Sequence, residues 1–138
     1  MKQPTVSVDI LVTRDNHILL GLLTEKWSQE NQPIYGLPGR EILFGESFGK
    51  AVERNIREEL GCEVHSYSVI AVNSNNALNN HYIGIGITAV IDGEPQVTRL
   101  EDWQKWEWFN KDNLPVNLFP PAKNLIDCYK SGKITVSG

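Results

Sequence analysis

The segment GREILFGESFGKAVERNIREELGC, residues 39–62, brings three carboxylates, Glu46, Glu58 and Glu59, into one short run with Arg40 and Arg54. On a helix stepping about 100° per residue, Glu58 and Glu59 fall on the same side as Asn55, at roughly −60° and +40° from it. Val52, Ile56 and Leu60 form an adjacent apolar stripe. The acids therefore stand beside a buried face. Two like charges there are costly unless a cation relieves them, and carboxylate oxygens are the ligands that Mg²⁺ or Mn²⁺ prefers. The bland alternative is the solvated end of an amphipathic helix. Against it stands the lead-in LPGREILFGES, a glycine-punctuated turn able to aim backbone groups at an ion or a phosphate.

The surrounding elements must hold that segment in place. The helix is expected over residues 46–60, with Ser47 as N-cap and Gly61 as its stop. Strands are expected at 5–13 and 17–23 across an Asp15-Asn16 turn, then at 62–72, 81–91 and 106–109. Residues 25–33, 73–80 and 94–105 read as polar loops, and 118–130 as a second helix with Pro120 or Pro121 in its first turn. Strands, a helix, more strands and a last helix imply an α/β or α+β sandwich with a mixed sheet.

With 138 residues the chain suits one domain and one core, here taken as 1–138. A net charge of −4 argues against binding a nucleic-acid duplex, but admits a small anion if a cation bridges the charges. Cys62 and Cys128 form no CxxC motif, which suggests reduced thiols and no zinc site. The start MKQPTVSVDILVT has no signal-peptide pattern, and no run approaches a membrane span, so a cytoplasmic location is expected.

The segment resembles the box of the Nudix hydrolase family, G-x5-E-x7-R-E-U-x-E-E-x-G-U with U aliphatic. Glu46, Arg54, Ile56, Glu58, Glu59 and Gly61 match it, and Leu37-Pro38-Gly39 is similar to the usual lead-in. Arg40 stands where the box has its first glycine, Asn55 replaces the Glu after the arginine, and Cys62 takes the last aliphatic place. The resemblance implies an α/β/α sandwich and hydrolysis of the diphosphate linkage in a nucleoside triphosphate or other nucleoside-diphosphate derivative, with Mg²⁺, or Mn²⁺, as cofactor. It implies Glu58, Glu59 and the Gly39 carbonyl as metal ligands, and Glu46–Arg54 as a structural pair. A late acid, Glu101 or else Asp102, would join them.

An amide at Asn55 can coordinate metal but cannot accept a proton from water. The catalytic set is then Glu59, Glu101 and Asn55, with Glu59, Glu101 or a metal-bound hydroxide as base and His81 a weak substitute. Members resembling GDP-mannose hydrolases also lack this Glu. Two alternatives follow: a nucleotide-sugar hydrolase, or a weakened domain that binds nucleotide as a sensor. Arg40 is a candidate phosphate contact. Trp106, Trp108 and Phe119 are candidate walls for a base, as are Tyr35 and Trp27, although core packing is the competing role for the two strand tryptophans. The expected partner is a small nucleotide, with an exposed strand or the Trp-rich segment offering a homodimer surface.

Overall fold

The computed structural model describes residues 2–27, 32–77 and 80–137. Its centre is β1, Thr5–Arg14, whose alternate side chains serve two cores. Val8, Ile10 and Val12 point to one face of the sheet and Leu11 to the other. That is the period-2 alternation of a strand covered on both sides. β2, His17–Leu23, returns through the turn at Asp15. β3 is only Tyr35–Gly36. β4, Glu63–Ala77, and β5, Asn80–Asp92, form a long antiparallel pair. β6, Trp103–Asn110, pairs with β2, and β7, Thr135–Ser137, with β4. The order is β3-β2-β1-β5-β4-β7, with β6 beside β2 and with β1–β5 parallel, so the sheet is mixed.

The helix α1, Phe48–Leu60, packs Ala51, Val52, Ile56 and Leu60 on the Val8 face. Ser47 caps it by accepting from the Lys50 amide at 3.2 Å, and Gly61 ends it in the left-handed conformation. The helix α2, Pro120–Ser131, covers the other face with Leu125 and Ile126. This is the helix–sheet–helix sandwich that the sequence suggested. No helix among the described residues is long and apolar enough to cross a membrane.

Three local expectations are corrected. Asn73–Asn76 do not loop out: they extend β4, paired with Gly84 to His81. Residues 103–105 belong to β6 and not to the preceding loop. A short edge strand, β7, follows α2, where no element was expected. Residues 78–79, and residues 28–31 of the first polar loop, lie outside the described residues.

Candidate active site

The loop before α1 is stitched to the edge of β1. Ile10 N–H donates to the Pro38 carbonyl at 2.9 Å, Val8 N–H to the Arg40 carbonyl at 3.0 Å, and Ile42 N–H to the Val6 carbonyl at 2.8 Å. The Gly39 carbonyl is outside this ladder. Gly39 has φ +132°, and a Cβ there would collide with the Val8 carbonyl oxygen. Only glycine lets the loop lie so close to the strand.

Glu46 and Arg54 fasten the loop to the helix. Arg54 donates from Nε to Glu46 Oε2 at 2.7 Å and from Nη2 to Glu46 Oε1 at 3.0 Å, a two-point fork. Its Nη2 also reaches the Glu41 carbonyl at 2.8 Å. The Arg54 bond and the Leu43 amide lower the Glu46 carboxyl from 4.5 to about 2. The pair expected from the sequence is thus in place geometrically.

A second arginine cluster was not foreseen. Arg40 donates from Nε to Glu59 Oε1 at 3.2 Å and from Nη2 to Asp102 Oδ2. Glu59 Oε2 accepts from Trp103 Nε1 at 2.8 Å. Asp102 Oδ1 takes Lys26 at 3.0 Å and Trp27 Nε1 at 3.2 Å. The Glu59 and Asp102 side chains are 2% and 7% exposed, so both are buried acids whose charge needs a nearby partner. Burial pushes the Asp102 carboxyl up, but bonds from Lys26, Trp27 and Arg40 outweigh it and hold the group below the usual Asp range. Burial pulls Arg40 down, and the Glu59 charge and Asp102 bond more than reverse that.

Arg40, Glu59 and Asp102 wall a cavity of about 230 Å³, together with Trp27, Leu37, Gly39, Trp103 and Phe119. Trp27 and Phe119 are half exposed there, at 50% and 47%. The other aromatic candidates are used elsewhere. Trp106 and Trp108 pack against the α1 core, with Trp108 also under Arg14. Tyr35 packs edge-on against Phe109. His81 is exposed on β5 opposite Asn76.

Glu58 stands apart from Glu59. It is held by Arg54 Nη1 at 3.2 Å and Arg99 Nη2 at 3.0 Å. Glu101 is exposed, and its carbonyl accepts from Thr24 at 2.7 Å. Asp102, the second choice from sequence, is the one turned inward. Asn55 is fully buried; its Nδ2 donates to the Ala51 carbonyl at 2.8 Å, and its Oδ1 has no hydrogen-bond partner. A divalent ion needs several oxygens converging on one point. Among the described residues no group of three or more His, Cys, Asp or Glu side chains is gathered in that way. Arg40 engages Glu59 and Asp102, and Arg54 and Arg99 engage Glu58, so as arranged these residues do not fit a carboxylate-held metal ion.

Trp103 and Lys26 escaped the sequence reading. Trp103 stacks on Trp106 with ring centroids 4.3 Å apart, three residues away. A regular strand would send those two to opposite faces. The register shift at Leu22/Leu23, opposite Trp103 and Lys105, brings them together, and the bare Gly21 makes room for both rings.

Comparison with known proteins agrees with this frame. The NUDIX domain profile matches residues 3–128. An ADP-ribose pyrophosphatase of Methanocaldococcus jannaschii is 34% identical over 130 residues, which is 90% of this chain and 72% of the relative. An NAD-capped RNA hydrolase NudC of Stutzerimonas stutzeri is 32% identical over 124 residues, but the match spans only 41% of that protein. The crystal structure of a MutT NUDIX hydrolase from Burkholderia pseudomallei superposes with a TM-score of 0.80 at 29% identity, covering 91% of this chain and 98% of that one. The chain belongs to the NUDIX hydrolase family.

Proposed function

We propose that the protein is a nucleotide pyrophosphohydrolase acting on a nucleoside diphosphate joined to a further group, with ADP-ribose the first substrate to test. The observation that carries this reading is the cavity itself. Its lining combines a guanidinium of the box segment, Arg40, with two half-exposed aromatic rings, Trp27 and Phe119. A guanidinium suits phosphate oxygens, and a half-exposed aromatic ring suits a base. The name of the Methanocaldococcus relative supports a diphosphate joined to a sugar.

In this reading Arg40 receives the diphosphate, while Trp103 and Arg40 keep Glu59 oriented and Lys26 holds Asp102. Both Glu59 oxygens are engaged, and Asn55 accepts no proton, so activating water falls to an exposed acid, Glu58 or Glu101. Mg²⁺, or Mn²⁺, is the cation the family resemblance implies, and the assay therefore includes each of them and EDTA. Turnover is measured on ADP-ribose, NADH, nucleoside triphosphates and GDP-mannose. AMP release from ADP-ribose is the expected result. Replacing the true base, by Glu58→Gln or Glu101→Gln, is expected to remove the acid limb of the pH–rate profile, with the other variant keeping it. A second reading, nucleotide binding without cleavage, draws on Asn55. Tight binding with no turnover of any compound in any buffer would establish it and end the first.

A further inference from the structure

The two departures from the family's box are linked by charge. Arg40 in place of glycine adds one positive charge, and Asn55 in place of Glu removes one negative charge. Together they shift the local balance by two units, the charge that a divalent ion would bring. The geometry agrees with the arithmetic. Arg40 reaches both Glu59 and Asp102, and Asn55 lies one helical turn before Glu59, buried and neutral. A Glu at position 55 would put another carboxylate on the buried face that already carries Glu59. The backbone at Arg40 is not in the left-handed region, so the side chain is carried without strain.

We propose that Arg40 is a tethered cation standing in for the divalent ion at Glu59 and Asp102, and that this site binds the diphosphate group of a nucleotide without metal. The nucleotide half of this rests on the function proposed above; the metal half does not. Arg40 keeps a side chain 39% exposed at the cavity wall, so the cation paired with both buried acids also faces the ligand. With Nε and Nη2 engaged by the acids, the substrate's anionic charge meets the remaining guanidinium N–H groups, Nη1 above all, in place of a metal's shell of exchangeable ligands.

The test has two arms. Mn²⁺ binding is followed by electron paramagnetic resonance in the wild type and in the double variant Arg40→Gly/Asn55→Glu. The double variant is expected to hold Mn²⁺ at least tenfold more tightly than the wild type. ADP binding is followed by tryptophan fluorescence, since Trp27 and Trp103 line the cavity. In the wild type, ADP affinity is expected to be the same within about twofold in EDTA and in Mg²⁺, and to fall at least tenfold in EDTA on Arg40→Gln. Wild-type Mn²⁺ affinity equal to that of the double variant, or loss of ADP binding in EDTA, would overturn the proposal. If the double variant does not fold, Arg40→Gly replaces it in the Mn²⁺ arm with the same expectation. If ADP binds in neither buffer, the nucleotide reading fails and the Mn²⁺ arm alone decides whether Arg40 stands in for the ion.

Discussion

Two arginines leave the same loop-and-helix unit and do opposite jobs. Arg54 is enclosed by Glu46, Glu58 and the Glu41 carbonyl, so its donors are spent on the scaffold. Arg40 also binds two acids, but it sits at the wall of a cavity and its partners are more deeply buried than it is. The ion-pair chemistry is alike in both. What differs is how far the cation faces solvent, 20% of the Arg54 side chain against 39% of that of Arg40. A pair whose cation is enclosed joins two pieces of chain, whereas a pair whose cation faces a cavity is positioned to meet a ligand.

That contrast can be broken at several points. Arg54→Ala should have the largest effect on turnover. Without that fork α1, with Glu58 and Glu59, shifts against the loop, which stays stitched to β1, and a relative displacement of about 1 Å costs roughly a hundredfold in kcat/KM. Conservation of full activity on a substrate of the wild type would refute the scaffold role. Glu59→Ala comes next. It strips Arg40 of one buried partner and leaves the Trp103 N–H without an acceptor. A loss of about 3 kcal/mol in denaturant unfolding is expected, at the low end for a broken buried pair because Arg40 keeps some water.

Asp9 is the third case, an acid shifted by burial alone, from 3.8 to about 6. Its Oδ2 and the Asn73 Oδ1 lie where a Cβ on Gly84 would meet them at 3.0 and 3.1 Å, so the glycine leaves room for both. The unfolded chain gives up this proton near the lower value and the folded one near the upper. Stability is therefore greatest below pH 4 as far as this group is concerned, and it declines as pH rises to 6. Asp9→Asn should stabilise the protein at pH 7 by on the order of 2 kcal/mol, and by little at pH 4. An equal effect at both values would remove the contrast between paired and unpaired acids.

Glu46 gives the smallest effect and the opposite sign. Its carboxyl is lowered from 4.5 to about 2, so its contribution is complete above pH 4.5 and is lost as pH falls toward 2. Thermal unfolding of Glu46→Gln between pH 5 and 3 should fall less steeply than that of the wild type.

Much of the frame was legible in the sequence because it is written in local terms. Ser47, the Val52/Ile56/Leu60 stripe and Gly61 define α1 through capping and periodicity, and both act within a few residues. Glu46 and Arg54 are fixed by their spacing across one loop and two turns. The site was less legible. Whether Glu101 or Asp102 turns inward depends on a tight turn, where Asp102 N–H and Trp103 N–H both bond the Arg99 carbonyl. Trp103 is aimed by a bulge in β6, where Gln104 is the extra residue between the Leu22–Lys105 and Leu23–Trp103 pairs, and which the alternation of 106–109 does not announce. The Asn-rich stretch failed differently. Asn is disfavoured in strands by itself, but pairing along β5 outweighed that preference. Arg40 was visible as a departure, but its partners lie 19 and 62 residues away.

The stitching of residues 38–42 to β1 has a consequence for dynamics. Binding loops are usually drawn from the least stable parts of a fold. Here Val8, Ile10 and Ile42 donate their amide protons between the loop and the central strand, and Val8 and Ile10 are fully buried. Freeing the loop would expose the inner strand of the sheet. Amide exchange at these positions should therefore track global unfolding, so the loop that presents Arg40 opens only when the core does.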